Sequence, residues 1–300
     1  MREPMDAIRD LIDRHCRAAR QDTPVAGLRL YRAEAPSPQV STLYRPTLCL
    51  VAQGRKQVVL GDSLYEFDPS KYLIVTVDLP VTGCIVEASE ARPYLGLSLD
   101  LDPGRVAELL LDNAAPPPNS RGAIAVTPLG CDLLDPMTRL LRLLDRPEDV
   151  PVLAPLIERE VHYRLLQGEQ GALLRQAATA GSHLSRVGQA ADWIRRHYAE
   201  PVSVEALAEL AGMSVTSFHR HFRAITTMTP LQYRTRIRLQ EARRLMIVDG
   251  QNAGAIGFDV GYESQSQFNR EYRRMFGVPP ATDAARLRRA EAVPQHAPAV

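Results

Sequence analysis

The sequence predicts a two-domain α+β protein in which an antiparallel β-barrel with flanking helices precedes an all-helical domain. A length of 300 residues is enough for about two domains. Residues 25–110 contain short, apolar, often β-branched segments separated by turn residues, which is typical of an antiparallel barrel or sandwich. From about residue 182 the apolar positions recur with a helical period instead. We therefore expect domains at 1–181 and 182–290, and a flexible tail at 291–300.

The N-terminal domain begins with a predicted amphipathic helix in residues 1–20. Ile8, Leu11, Ile12 and His15 share one face of that helix because they are spaced by three or four residues. The helical period returns in residues 136–178, after the barrel segments. These later helices are either a dimer interface or a packed connector between the domains.

Six segments between the N-terminal helix and residue 110 are predicted strands. They are 48–52, 57–60, 63–67, 72–77, 84–88 and 94–99. Gly61-Asp62 predicts a tight hairpin, since glycine suits the positive φ of a primed turn. Residues 113–122, NAAPPPNSRG, are a loop by composition.

Composition excludes several classes of protein. No run of about 18 apolar residues exists, and the N-terminus lacks the apolar core of a signal peptide, so we expect a cytoplasmic protein without membrane contact. The four cysteines are scattered, with neither disulfide-framework density nor zinc spacing. Net charge is +1, yet residues 181–300 hold 16 Arg, no Lys and 11 acidic residues, a net of +5. A modest positive charge suits phosphate contact but needs a motif beside it.

That motif is a phrase that occurs twice in the helical domain. Residues 212–223 read GMSVTSFHRHFR and residues 261–273 read GYESQSQFNREYR. Each copy places Phe four residues after Ser, an aromatic residue four further on, and Arg two past the Phe. Each also follows a short apolar helix and a glycine suited to a left-handed turn. The phrase therefore predicts a helix-turn-helix unit, in which the second helix carries polar side chains on a rigid support.

The helical phase separates a packing face from a solvent face in each second helix. Ser203 and Ser214 are predicted N-caps in the first copy, and Ser264 with Gln267 a capping box in the second. The packing faces are predicted to hold Val215, Phe218, Phe222, Ile225, Phe268, Tyr272 and Met275. The candidate DNA-binding residues on the other faces are Thr216, His219, Arg220, Arg223, Gln265, Ser266, Asn269, Arg270 and Arg273.

The segment between the two copies is predicted to be a single linking helix. Thr229-Pro230 starts it, and residues 231–247 would span about 25 Å. Together with the helices at its ends, that length places the two copies about one DNA turn apart, ~34 Å on one face of the duplex. One chain would then read two successive major grooves.

Residues 184–282 resemble the DNA-binding domain of the AraC/XylS regulators. The resemblance rests on LAELAGMSVTSFHRHFRAITTMTPLQYRTRIRLQEARRLM and on VGYESQSQFNREYRRMFGVPP. The first domain, around RPTLCLVAQGRKQVVLGDSLYEF, resembles the cupin-like sensor domains of that family. The resemblance implies an effector-responsive transcriptional regulator that acts as a homodimer. It implies promoter DNA, RNA polymerase and a small-molecule effector as partners, with base contacts from the candidate residues other than Arg223 and Arg273.

Two departures from the family pattern lie in the second helix-turn-helix unit. Gly257 stands where the family usually has Ala, which lowers helix propensity by roughly 1 kcal/mol. Asp283-Ala284 replaces the usual Tyr-Arg after the closing prolines. We therefore expect the second unit to be less rigid than the first.

The residue pattern gives little support to an enzymatic function. Metal-dependent cupins need several His and a carboxylate, yet residues 16–161 contain no His. We expect no metal, no cofactor and no catalytic activity. Cys49 and Cys84 are interpreted as small core residues rather than reactive thiols, since both lie in apolar strand segments. His219 and His221 point apart on a helix and so form no metal site.

Two alternatives to a DNA-binding regulator stay open at this point. One is a ligand-binding or catalytic cupin that its C-terminal domain tethers to DNA, with Tyr44, Arg45 and Arg92 as candidates for a cavity wall. The other is a protein-interaction adaptor whose DNA-binding domain is degenerate, which weak, salt-insensitive DNA binding would indicate.

Overall fold

The computed structural model describes residues 2–111, 122–248 and 253–291. The chain divides into two compact units, the first ending at Arg186 and the second starting at Val187. The loop expected at 113–122 and the tail expected at 291–300 lie almost wholly outside the described residues. Within the described ranges no helix is both long and apolar enough to cross a membrane.

Two antiparallel sheets form the centre of the first unit and confirm the predicted antiparallel β domain. One has the order β1-β2-β9-β4-β7-β10 and the other the order β3-β8-β5-β6. The strands are β1 (Arg20–Asp22), β2 (Leu28–Ala33), β3 (Val40–Tyr44), β4 (Thr47–Gln53), β5 (Arg55–Leu60), β6 (Ser63–Phe67), β7 (Lys71–Val75), β8 (Leu79–Glu87), β9 (Tyr94–Asp100) and β10 (Ile124–Pro128).

The predicted hairpin is present between β5 and β6. Leu60 pairs with Ser63, which leaves two residues in the turn, and Gly61 has a φ of 59°. Sequence reasoning missed the strands β1, β2, β3 and β10. β1 has three mostly exposed residues, and β3 is half-exposed up to its buried last residue, Tyr44. Neither carries the apolar run that marked the central strands.

Helices cover one side of the larger sheet and enclose the core of the first unit. They are α1 (Arg2–His15), α2 (Pro103–Leu111), α3 (Cys131–Arg142), α4 (Val150–Gln167) and α5 (Gly171–Ala178). The predicted apolar face of α1 is confirmed, because Ile8 and Ile12 are fully buried and Leu11 is nearly so. They join one apolar cluster with strand residues such as Leu48 and Leu97.

The second unit is helical, as predicted. Its helices are α6 (His183–Arg196), which begins before the division, α7 (Val204–Leu210), α8 (Val215–Thr226), α9 (Pro230–Val248), α10 (Ala253–Asp259), α11 (Gln265–Phe276) and α12 (Pro280–Glu291). α7 with α8, and α10 with α11, form the two helix-turn-helix units. The linking helix α9 has 19 residues and spans about 28 Å.

Local signals end and start the helices largely as expected. The side chains of Ser203 and Ser214 accept hydrogen bonds from the backbone N–H groups of Ala206 and Ser217. Gly212 and Gly261, in the two turns, have φ values of 59° and 90°, which few side chains tolerate.

The capping box predicted for the second helix-turn-helix unit is wrong. Ser264 precedes α11 in an extended conformation, but its side chain makes no capping hydrogen bond. Gln267 instead donates to Glu271 one turn further along the helix. A capping box does occur at α9, where Thr229 and Gln232 bond each other's backbone N–H groups.

Buried aromatic pairs hold both second helices in place. Phe218 and Phe222 are fully buried in α8 with ring centroids 5.3 Å apart, and Tyr233 of α9 meets Phe222 edge-on at 5.4 Å. Phe268 and Tyr272 are the equivalent pair in α11, with centroids 5.6 Å apart.

Val215 departs from its predicted place on the packing face of α8. It is 38% exposed, because it occupies the first residue of the helix, before the helix reaches the core.

Replacing Phe218 by Ala should therefore lower the free energy of unfolding by about 3–5 kcal/mol, since it removes a fully buried ring. Chemical denaturation of the full chain measures it. Val215→Ala is the matched control on the same helix and should change stability by about 0.5 kcal/mol or less. Equal losses in the two variants would contradict the packing described here.

Candidate nucleic-acid interface

The predicted contact residues lie mainly on the solvent faces of α8 and α11. Phe218 and Phe268 point into the core, and the helical phase turns the residues two positions later away from it. The exposed candidates are Thr216, Arg220, Arg223, Ser266, Asn269, Arg270 and Arg273. The two second helices thus present similar polar surfaces on similar aromatic supports.

His219 and Gln265 are half-buried rather than fully outward-facing. Gln265 is the first residue of α11, and its side-chain amide donates to Asn269 at 3.3 Å. The two amides are therefore held together one turn apart. Sequence phase alone placed them on the outer face without showing this pairing.

The arginines of these two faces differ from the other exposed arginines of the second unit in having no carboxylate partner among the described residues. Arg195 and Arg196 pair with Asp192, and Arg244 pairs with Glu241. In the described part of the chain, no ion pair reaches the four predicted arginines, which are Arg220, Arg223, Arg270 and Arg273. The Arg220 guanidinium lies 3.4 Å from Nε2 of the neighbouring His221. Their charge is therefore available to an external anion.

Arg274 adds a fifth such side chain that sequence reasoning missed. It is exposed and lies one turn after Arg270 on α11. The spacing of four residues was the available signal, since residues four apart share a helix face. The positive surface of α11 is consequently wider than predicted.

The linking helix is fixed to its surroundings through Arg238. This side chain is only 9% exposed, and its guanidinium donates to the carbonyl oxygens of Tyr198 at 2.6 Å and Ala199 at 3.1 Å. A Cβ added at Gly261 would lie 2.3 Å from the Ala199 oxygen. The turn of the second unit therefore needs glycine for close approach as well as for its φ.

The structure corrects the expectation that Asp283 loosens the second helix-turn-helix unit. Asp283 is fully buried at the start of α12, where the helix N-terminus favours a carboxylate. It accepts hydrogen bonds from the Tyr272 hydroxyl at 2.9 Å and from Arg286 at 3.0 Å. The Arg243 Nε atom lies 2.9 Å from its Oδ2. One carboxylate thereby connects α9, α11 and α12.

The charge state of this network follows from its burial. Desolvation, and then the neighbouring Asp283 carboxylate, raise the pKa of the Tyr272 hydroxyl far above its usual value. Tyr272 therefore remains a hydrogen-bond donor to Asp283. Arg243 also stacks over the Phe276 ring, 4.7 Å from its centroid.

Gly257 likewise permits close packing rather than loosening it. A Cβ at this position would lie 3.0 Å from Cδ1 of Phe268 and 3.1 Å from Oε1 of Gln265. The lost helix propensity is accompanied by a closer approach of α10 to the buried ring of α11.

The first unit holds the remaining sequence candidates. Cys49 is buried, and burial raises the pKa of its thiol to about 11, so it stays protonated. Cys84 is half-buried, and burial raises its pKa as well. Tyr44 is fully buried, whereas Arg45 and Arg92 are exposed and so do not line an interior cavity. Among the described residues, no three His, Cys, Asp or Glu side chains form a metal-binding group.

Family models match both halves of the chain. A model described as the AraC-type transcriptional regulator N-terminus matches residues 24–173. A helix-turn-helix domain model matches residues 207–286.

Sequence relatives align with only part of this chain. The HTH-type transcriptional activator RhaS of Escherichia fergusonii is 33% identical over 96 residues, which are 32% of this chain and 34% of that protein. RhaS of Salmonella schwarzengrund is 28% identical over 149 residues, 49% of this chain and 53% of that protein. The chain thus spans about half or less of the length of these relatives.

Solved structures share the fold across most of the chain. ToxT from Vibrio cholerae O395, bound to (E)-4-(8-methylnaphthalen-1-yl)but-3-enoic acid, has a TM-score of 0.57 and 10% identity. The alignment covers 90% of this chain and 99% of ToxT. At this identity the likeness concerns the fold alone.

Removing the Asp283 carboxylate tests its anchoring role. Asp283→Ala should lower the free energy of unfolding by about 3–5 kcal/mol, because it leaves Arg243 without its partner in a buried site. Glu241→Ala, which breaks the solvent-accessible pair with Arg244, is the control and should cost about 1 kcal/mol or less. Denaturation of both variants decides the point. A loss no larger for Asp283 than for Glu241 would show that the carboxylate is not an anchor.

Proposed function

Because the chain belongs to the AraC/XylS family of transcriptional regulators, we propose that it binds double-stranded promoter DNA through α8 and α11. Each helix enters one major groove, so one chain reads two successive grooves. The contacts come from Thr216, His219, Arg220, Arg223, Gln265, Ser266, Asn269, Arg270 and Arg273, with Arg274 added from its exposure.

One observation carries this proposal above the others. In both helix-turn-helix units, arginines without carboxylate partners stand opposite a buried aromatic pair. Elsewhere among the described residues of the C-terminal domain, exposed arginines pair with carboxylates of their own helices, as Arg196 does with Asp192. The two exceptional faces are those that a major groove would admit.

The residue types suggest different roles on the DNA. Arg220 and Arg270 occupy equivalent positions, two residues after a buried Phe, and guanidinium groups pair bidentately with guanine. Gln265 and Asn269 suit adenine, and their mutual hydrogen bond would present them as one unit. Arg223 and Arg273 lie further along each helix and are assigned to phosphates.

The first unit is assigned to effector binding and dimerisation. ToxT has been solved with an organic acid bound, and a small-molecule effector is proposed here by extension. Effector binding would shift the equilibrium of a homodimer between two arrangements of its DNA-binding units. RNA polymerase is a further proposed partner, and the protein is assigned to the cytoplasm.

DNA affinity of the full chain should fall linearly with salt on logarithmic axes, because binding releases counterions from phosphates. A fluorescence-anisotropy titration at several salt concentrations measures the slope. Arg273→Ala should reduce that slope by about one. The matched variant Arg196→Ala, on α6 and paired with Asp192, should leave it unchanged. Absence of binding at low salt would exclude the DNA-binding function.

Arg220→Ala and Arg270→Ala should each weaken binding to the specific operator by about 1–3 kcal/mol. Each should relax base preference in one half-site only, and the half-sites should lie about 10–10.5 base pairs apart. The two losses should be similar, since Asp283 connects α9, α11 and α12 in the second helix-turn-helix unit. Selection from a randomised DNA library, followed by binding curves on each half-site, measures both effects.

The same curves on scrambled DNA separate base reading from phosphate binding. If both arginine variants lose equal affinity on specific and on scrambled sequences, these side chains contact phosphates. The assignment of base-reading residues would then be wrong.

A further inference from the structure

A lysine lies between the two sheets of the first unit. Lys56 is the second residue of β5 and is only 6% exposed. Its Nζ atom lies 5.7 Å from the centroid of the Tyr31 ring and 5.6 Å from that of Tyr44. These distances are close to the outer limit of about 6 Å for a cation–π contact.

Within the part of the chain that the structure describes, this amine has no counter-charge. Among the described residues no carboxylate forms an ion pair with Lys56, and none makes a hydrogen bond to it. Its titratable neighbours are thiols and phenols that burial keeps neutral: it raises the pKa of Cys49 to about 11 and that of Tyr31 to about 12. Burial correspondingly lowers the pKa of the Lys56 amine.

The position is also unusual for this chain. Of the 36 Lys and Arg residues only two are lysine, Lys56 and Lys71. Arginine keeps its proton in proteins, whereas a buried lysine can lose it and become nucleophilic. Within the described ranges, the basic side chain that is buried between the sheets is therefore of the type that can act as a neutral amine.

A small cavity gives this amine an open side. Lys56 lines it together with Ser37, Val40, Thr42, Tyr44, Gly83, Cys84 and Ile85. Its volume is about 10 Å³, which is room for about one water molecule. The Tyr44 hydroxyl is buried and has no hydrogen-bond partner in the described structure. Ser37, Thr42 and Cys84 are half-exposed, so the cavity is reached from the side of β3 and β8.

We propose that Lys56 is a covalent binding site for a small aldehyde, which it holds as a reversible imine. The amine lone pair attacks the carbonyl carbon and forms a carbinolamine. Loss of the hydroxyl group as water then gives the C=N bond, so one aldehyde and one amine yield one imine and one water with no change in oxidation state. The carbonyl oxygen would take the place of the one water that the cavity can hold, with the remainder of the molecule toward its mouth.

Imine formation removes the free-energy cost of burying a charged amine at this site. A neutral nitrogen bonded to carbon needs no counter-ion in an apolar interior, whereas an ammonium group does. A role of this imine as the effector signal rests on the proposed function, but its formation does not.

Reductive trapping on the full-length protein tests the site. Acetaldehyde and cyanoborohydride at neutral pH convert an imine into a stable N-ethyl group, and peptide mass mapping locates it. We expect Lys56 to be modified at least about tenfold faster than Lys71, which is half-buried at the start of β7. Modification at Lys56 no faster than at Lys71 would overturn the proposal.

Three variants make the result specific. Lys71→Arg should leave the fast modification intact, and Lys56→Arg should abolish it while it keeps a cation at the site. Gly83→Ala keeps the lysine and narrows the cavity, because the added Cβ would lie 3.8 Å from Lys56 Cε in ordinary contact. It should slow the reaction, and an unchanged rate would show that the aldehyde does not enter by this cavity, which overturns the assignment.

DNA binding separates this inference from the proposed function. If the full chain does not bind DNA, the regulator proposal fails while Lys56 trapping stands or falls by itself. If trapping fails and DNA binding is normal, only the aldehyde site is wrong.

Discussion

The arrangement of the second unit depends on one constraint, the burial of an aromatic pair spaced by four residues in α8 and in α11. Phe218 with Phe222, and Phe268 with Tyr272, can reach the core only if each helix has one rotation about its axis. That rotation turns Arg220 and Arg270 to solvent. Packing energy in the core thus determines which charges an anion can meet.

The two helix-turn-helix units reach the same geometry through different supports. The first is closed by apolar packing, with Tyr233 of α9 against Phe222. The second uses a buried carboxylate, Asp283, which joins three helices, and a glycine, Gly257, which lets α10 approach the Phe268 ring. A charged residue in the core is tolerated there because Tyr272 and Arg286 donate hydrogen bonds to it and Arg243 supplies a counter-charge.

In the first unit, a buried basic side chain lacks the compensating partners that Asp283 has. Asp283 is contacted by Tyr272, Arg243 and Arg286, whereas Lys56 lies beside the rings of Tyr31 and Tyr44 and, among the described residues, has no ion-pair partner. Desolvation without compensation favours the neutral amine. Ion pairing and hydrogen bonds offset that penalty at Asp283, whereas among the described residues no ion pair offsets it at Lys56.

The sequence by itself determined the domain types, the repeated helix-turn-helix phrase and the outward phase of the arginines, because helical periodicity and turn glycines are local properties. It did not determine the missing cap at Ser264, the exposure of Val215 or the pairing of Gln265 with Asn269. It also misjudged Asp283 and gave no sign of the isolation of Lys56. These depend on which groups meet across the fold, since burial and hydrogen bonding are set by residues such as Arg243 and Tyr31 that lie far away in sequence. Only the tertiary structure brings them together.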